Sequence, residues 1–177
     1  GRAVRRRRCY GAGHCRVNGE GGGCGRCGGG GLRQVELAFM ADVFVPCDLC
    51  GGKRFKSEVL EVKVRGKSVY DVLEMTIDQA IRFFPREEKL GQALWQLQQV
   101  GLGYLKLGQP APTLSGGEAQ RVKIARELSH AGKTKTRKLY VLDEPTTGLH
   151  LEDMRKLARV VERLVDTGHT HVITEHN

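Results

Sequence analysis

Nowhere in the 177 residues does an apolar run approach the roughly 20 positions a membrane-spanning helix requires, so no membrane partner is expected. The charged N-terminal stretch has no apolar segment behind it, so a secretory-signal pattern is missing too. Nor are the six cysteines spread like a disulfide framework, because four of them form two C-x-x-C pairs. In a chain without a secretory signal that spacing favours metal over disulfides. Together these absences lead to the expectation of a cytoplasmic protein. There is no internal repeat, and residues 1–31, rich in Arg and Gly, lack apolar periodicity and predict little regular structure. An initiating methionine is missing as well, and the sequence stops at Thr174-Glu175-His176-Asn177 directly after a strand candidate. It reads as a fragment of a longer polypeptide.

What is present is enough for a packed core, since hydrophobic residues make up 40% of the chain. The net charge of +9 is uneven: residues 1–56 hold 11 Lys and Arg against 4 Asp and Glu, and residues 57–177 hold 18 against 16. A basic region beside a nearly neutral one suggests that the first part meets a polyanion, nucleic acid by default. For Arg5 to Arg8 alone, a solvated basic tail explains the charge equally well.

Leu32 to Phe39 alternates in a strand period, Val43 to Pro46 is a short apolar run, and residues 58–64 read as another strand. Ser68 with Asp71, and Thr76 with Gln79, resemble capping boxes that open short helices, the second stopping before Pro85. Residues 87–100 form an amphipathic helix pattern through Leu90, Leu94, Leu97 and Val100. A helix from Gly116 to Ser129, the strand "KLYVLDE", a helix over about 151–166 and the strand "THVIT" complete the chain. Strand, helix, strand with buried-looking apolar strands is an α/β pattern with a parallel sheet.

Cys24, Cys27, Cys47 and Cys50 stand as C-x2-C-x19-C-x2-C. Two residues between cysteines let both thiolates of a pair bind one ion, and two such knuckles complete a tetrahedron. Glycines follow each knuckle, at Gly28 and at Gly51-Gly52, where they free the turn to bring amides towards the sulfurs. A redox dithiol would need a single C-x-x-C opening a helix, whereas these two pairs lie in Gly-rich turns. Four thiolates leave no open coordination position, so the expected Zn²⁺ is structural. Cys9, His14 and Cys15 match no knuckle spacing and read as free thiols and a histidine in an arm. Lys53, Arg54 and Lys56, just past the second knuckle, are candidate phosphate contacts, with surface solubility the competing explanation.

"LSGGEAQ", Leu114 to Gln120, is a helix N-terminus with two bare glycines and a built-in Ser115/Glu118 capping pair, suited to a phosphate. "LYVLDEPTTGLH" ends an apolar strand in Asp143-Glu144, the carboxyl end where ligands bind in open α/β sheets. Asp143 can hold Mg²⁺ and Glu144 can polarise an attacking water. "VITEH" brings His176 to the same edge. A phosphate-binding G-x-x-x-x-G-K-[ST] is lacking: Gly132-Lys133-Thr134 looks like its end, but Glu127 occupies the first glycine position, so this is read as a basic loop.

The three strings, in this order, resemble the ABC ATPase family, as its signature motif, Walker B strand with catalytic glutamate, and switch histidine. The resemblance implies a partial P-loop NTPase domain, a parallel sheet with helices, carrying an inserted four-cysteine zinc module. It implies that Ser115, Gly116, Gly117 and Gln120 face ATP held by a second domain, while Asp143, Glu144 and His176 serve the site on their own domain. Because the zinc module precedes the signature motif, the chain is similar to the UvrA branch of that family, from about Asn18 onward. The stretches that carry this are "CGRCGGGGL", "MADVFVPCDLCGGKRF", "LEVKVRGKSVYDVLEMT", "LGQPAPTLSGGEAQRVKIARELS" and "LYVLDEPTTGLH". Residues 1–17 depart from that pattern. The organisation expected is a divergent, disordered segment over 1–17, the zinc module over 18–57, an insertion over 58–113 and the truncated ATPase part over 114–177.

That resemblance implies the damage-recognition ATPase of bacterial nucleotide excision repair, a dimer that binds damaged double-stranded DNA and loads UvrB with ATP and Mg²⁺. Without the phosphate-binding loop this piece is expected not to hydrolyse ATP alone. The alternatives are a UvrA-like paralogue serving drug resistance, a transporter's ATPase subunit, or a non-enzymatic zinc module that binds DNA. The zinc module argues against a transporter, and intact Glu144 and His176 argue against a decayed enzyme. Nothing in the sequence separates a repair protein from a paralogue.

Overall fold

The computed structural model describes residues 21–130 and 137–175, which fall into two compact units divided between Glu74 and Met75. Arg5 to Arg8, Cys9, His14, Cys15, Gly132 to Thr134 and His176 lie outside the described residues.

The first unit is built around a hairpin, β1 (Leu32–Leu37) and β2 (Met40–Pro46), paired antiparallel with Leu32 opposite Pro46 and Val35 opposite Val43. The register shifts between Val35 and Leu37 near the tip, where Phe39 stands 99% exposed. At its base the Cys47 amide donates to the Gly31 carbonyl at 2.9 Å. A second antiparallel contact, the bridge between Gly23 and Phe55, ties the chain entering the hairpin to the chain leaving it. There the Cys24 amide donates to Arg54 O at 2.7 Å and the Lys56 amide to Gly22 O at 3.1 Å. The apolar core of this unit is small: Phe55 and Val59 join Cys24 and Cys47 as its buried hydrophobic residues among those described.

Residues 58–64 depart from the strand that their alternation suggests. A single helical turn, α1 (Ser57–Leu60), buries Val59, and only Lys63–Val64 (β3) is extended. It pairs with Lys67–Ser68 (β4) across Arg65-Gly66, whose φ angles of 50° and 80° are those of a tight two-residue hairpin turn. Strand length is set there by the turn, and two residues leave no room for a longer ladder. Ser68 then caps α2 (Val69–Leu73): its hydroxyl accepts from the Asp71 amide while Asp71 accepts from the Ser68 amide.

The second unit is a helical layer on a two-stranded parallel sheet. Thr76 opens α3 (Ile77–Phe83) with the same reciprocal cap to Gln79, and the helix ends before Pro85 as the sequence dictates. Helix α4 (Glu88–Gln99) buries Leu94 and runs into a tight loop holding Val100, Leu102 and Leu105 in the core. Leu90, read as part of its apolar stripe, stays partly exposed, at 38%. A 3₁₀ turn (Ala111–Thr113) leads to α5 (Gly116–His130). Then β5 (Leu139–Asp143), α6 (Leu151–Asp166) and β6 (Thr170–Thr174) form a β–α–β unit, with Leu139 opposite Thr170 and Asp143 opposite Thr174. Leu142, Leu157, Val160 and Leu164 join Ile77, Ala80, Ile124 and Ala125 in one core. The strands are less buried than their apolar sequence implies: Leu139, Val141, Val172 and Ile173 are all exposed. No helix among the described residues is long and apolar enough to cross a membrane.

Candidate functional site

In the first unit the hairpin returns the second C-x-x-C beside the first, so the 19-residue spacer is the two strands and their turn. The four sulfurs lie within 4.8 Å of one another, with Cys24 Sγ 4.0 Å from Cys47 Sγ and Cys27 Sγ 3.8 Å from Cys50 Sγ. None is bonded to another. A tetrahedral ion with metal–sulfur arms of about 2.3 Å needs sulfurs about 3.8 Å apart, so the donor set fits a Zn²⁺-sized thiophilic cation. Backbone N–H groups of Cys27 and Arg26 hold the Cys24 thiol down at about 7, against the opposing push of burial. Burial instead drives the Cys50 thiol up to about 11. Four sulfurs packed this closely become thiolates together only when a cation shares their charge.

The two knuckles are conformational copies. Gly28 and Gly29 have φ of 57° and 84°, and Gly51 and Gly52 have 55° and 80°, left-handed geometry that a side chain would strain. The string C-x-x-C-G-G occurs at residues 24–29 and again at 47–52, a six-residue duplication too short to stand out as a repeat. The Gly31 amide reaches Cys27 Sγ at 3.3 Å. Asp48 in the second knuckle pairs with Arg26 in the first at 3.0 Å and with Arg33 of β1 at 3.7 Å. Beside the sulfurs a cleft of about 450 Å³ is lined by Leu49, Lys53, Phe55, Lys56 and Glu58. Lys53 and Lys56 are exposed there, while Arg54 is half-buried with φ 71° and its side chain packed where a Gly31 Cβ would stand.

In the second unit, Ser115 and Glu118 form the capping pair expected at the start of α5. The Glu118 amide donates to Ser115 Oγ at 3.2 Å, and the Ser115 amide donates to Glu118 Oε2 at 2.7 Å. Ser115 and Gly116 are exposed, and Gly117 is half-buried against Arg121 and the Thr147 carbonyl. Gln120 is half-buried, and its Oε1 has no partner among the described residues.

At the other edge, parallel pairing brings Asp143 of β5 level with Thr174 of β6. Asp143 is exposed at the carboxyl end of its strand. Glu144 follows with φ 45°, its amide donating to Thr174 O at 2.9 Å. Its Oε2 accepts from Thr147 Oγ1 at 3.1 Å. A non-glycine residue at positive φ is uncommon and is held by its surroundings, here two strands and a turn. The structure adds residues that the sequence does not single out. Thr146 donates from its amide and hydroxyl to the Glu175 carboxylate at 3.1 and 2.8 Å. Arg121 is 1% exposed, and its Nη1 donates to Pro145 O at 3.1 Å and Thr147 O at 3.2 Å, tying α5 to the turn behind Glu144. Tyr104 donates to Glu118 Oε1 at 2.5 Å. A sequence signal for Glu175 existed in its place beside His176, whereas Arg121 and Tyr104 carried none. Among the described residues the four cysteines are the only group of three or more side chains placed to hold a metal.

Residues 45–147 match the ABC transporter family. The chain belongs to that family. Among ABC proteins, it is 54% identical over 97% of its length to UvrABC system protein A of Thermus thermophilus. It is 53% identical, again over 97%, to the protein of the same name from Pseudomonas aeruginosa. Both alignments span 18% of the relative's length. The crystal structure of UvrA2 from Deinococcus radiodurans superposes on 98% of the chain with a TM-score of 0.87 at 49% identity, covering 21% of that chain. The expected ABC-type NTPase fold with a four-cysteine module is thus the fold found, and the resemblance to UvrA holds over nearly the whole chain.

Proposed function

We propose that this ABC-family chain is a working part of a DNA damage-recognition ATPase of nucleotide excision repair, acting in the cytoplasm on damaged duplex DNA and loading UvrB. One observation carries the reading: a four-sulfur cluster and a capped Ser-Gly-Gly helix end occur in one chain at 54% identity to UvrABC system protein A. A paralogue in drug resistance shares those features, and the UvrA2 likeness keeps it as the second reading.

In this proposal Cys24, Cys27, Cys47 and Cys50 hold Zn²⁺, which crosslinks the hairpin base and supplies no reaction chemistry. Lys53, Arg54 and Lys56 lie past the second knuckle and neutralise DNA phosphates, which gives affinity without reading base sequence. Ser115, Gly116, Gly117 and Gln120 meet the terminal phosphate of ATP on a facing domain. Asp143 helps hold Mg²⁺, Glu144 orients the attacking water and His176 senses the phosphate, all in the complete homodimer. The isolated chain, without a phosphate-binding loop, does not turn over ATP.

The test is zinc content by elemental analysis of the purified chain, with binding to damaged and undamaged duplexes before and after chelation. One zinc per chain and duplex affinity abolished by chelation support the reading. Replacing Lys53 and Lys56 by Ala lowers the salt dependence of that affinity by about one unit of slope for each phosphate no longer neutralised. One zinc without duplex affinity moves the module to protein contacts. No zinc removes the metal reading altogether.

A further inference from the structure

Glu118 poses an electrostatic problem for the nucleotide-facing reading. It places a carboxylate at the end of α5 where an anionic phosphate is to arrive, and like charges at that range repel. The structure shows how this charge is tied down. Leu102 and Leu105 are buried, the Ile77 amide donates to Leu105 O at 2.9 Å, and the Asp78 amide donates to Gly103 O at 3.0 Å. Gly103 itself lies so close to Asp78 that a Cβ would stand 2.5 Å from the carboxylate. The loop 100–107 is therefore fixed from both sides, and Tyr104 projects from it to the first turn of α5.

We propose that Tyr104 is a positioning residue for the phosphate-facing end of α5, its hydroxyl pinning Glu118 so that the Gly116 and Gly117 amides stay available. The division of labour follows from the hydrogen bonds. Glu118 accepts from the Tyr104 hydroxyl through Oε1 at 2.5 Å and from the Ser115 amide through Oε2 at 2.7 Å, so both oxygens are engaged. Ser115 Oγ accepts from the Glu118 amide at 3.2 Å, and the Ser115 side chain in turn helps to hold the Glu118 carboxyl. The Gly116 and Gly117 amides are first-turn donors that helix geometry leaves without an intrahelical acceptor. The Tyr104 hydrogen bond is the largest influence holding the Glu118 carboxyl below its ordinary range, and Arg121 adds to it. Burial first, and Glu118 second, raise the Tyr104 hydroxyl in turn.

The inference rests on the nucleotide reading of α5, and its test separates the two. The amide resonances of Ser115, Gly116 and Gly117 are followed by NMR in the 177-residue chain from pH 3 to 7, then during titration with inorganic phosphate at pH 7. Tyr104→Phe keeps the ring and removes only the hydroxyl. The pH midpoint of the Ser115 amide then rises towards the ordinary glutamate value, and the phosphate-induced shifts at Gly116 and Gly117 weaken about threefold. Ile124 and Ala125 amides, buried in the same helix, stay unchanged and report an intact fold. Glu118→Gln removes the titration, which assigns it. An unmoved midpoint in a folded Tyr104→Phe chain overturns the positioning role. A midpoint that moves while phosphate shifts neither glycine in either protein upholds the Tyr104 link and overturns the nucleotide reading.

Discussion

The two units reach order by opposite routes. Below Met75, two of the four buried hydrophobic residues described are cysteines, and the turns flanking the hairpin base carry the sulfurs. From Met75 onward, twelve buried apolar residues form one cluster, and no cysteine is among them. A region with so little apolar surface to bury cannot offset its conformational entropy by hydrophobic burial, and under the proposed function crosslinking by Zn²⁺ replaces what a core would supply. The second unit needs no such crosslink, and its hydrogen bonds serve to aim side chains.

The sharpest way to break this contrast is to remove the metal. Chelation, or Cys47→Ser, is expected to unfold the first unit, because structural zinc contributes on the order of 10 kcal/mol to folding. Hydrogen exchange reads the outcome: amides of the hairpin lose protection and those of α5 and α6 keep theirs. Equal loss in both units would sink the contrast. Next in size, Leu157→Ala opens a cavity in the second core and lowers its stability by about 2–5 kcal/mol in a denaturant melt, with zinc stoichiometry unchanged. Thr76→Ala removes one half of a capping box and costs about 1 kcal/mol in the same melt.

The smallest effect is expected from pH. His171 stacks on Tyr140 with ring centroids 4.8 Å apart, and neither ring nitrogen has a partner among the described residues. Burial, then the neighbouring His169, depresses its pKa below the ordinary 6.5. The unfolded chain therefore takes up this proton more readily than the folded one, and stability falls as pH drops below about 6.5. Melts of the wild type and His171→Phe should differ in slope over that window, and parallel curves would remove His171 as the cause.

Much of this contrast is legible in the sequence alone. C-x2-C-x19-C-x2-C states the crosslink outright, and S-x-x-D, T-x-x-Q and S-G-G-E each state a helix start, because capping is a local event between residues three apart. What escapes is non-local or too short. "EVLEVKV" alternates like a strand, yet one helical turn and a two-residue hairpin satisfy the same pattern, and only the positive φ of Arg65 and Gly66 decides between them. Arg121 and Tyr104 look like ordinary surface residues in sequence, since their partners lie 24 and 14 positions away. Strand exposure is misjudged because apolar composition names what a residue prefers to touch, and Val141 and Val172, paired with each other across the two strands, stay exposed all the same.

The hairpin has a mechanical consequence. Its strands are extended, at about 3.3 Å per residue, so six residues carry the turn about 20 Å from the sulfurs. Root and tip differ sharply in their surroundings: the root gathers four sulfurs and holds Asp48 between Arg26 and Arg33, while Phe39 at the tip touches almost nothing. Such an arm is a cantilever. A push on Phe39 travels along the ladder and arrives at the knuckles as torque, which the gathered sulfurs and the Asp48 ion pairs are placed to resist.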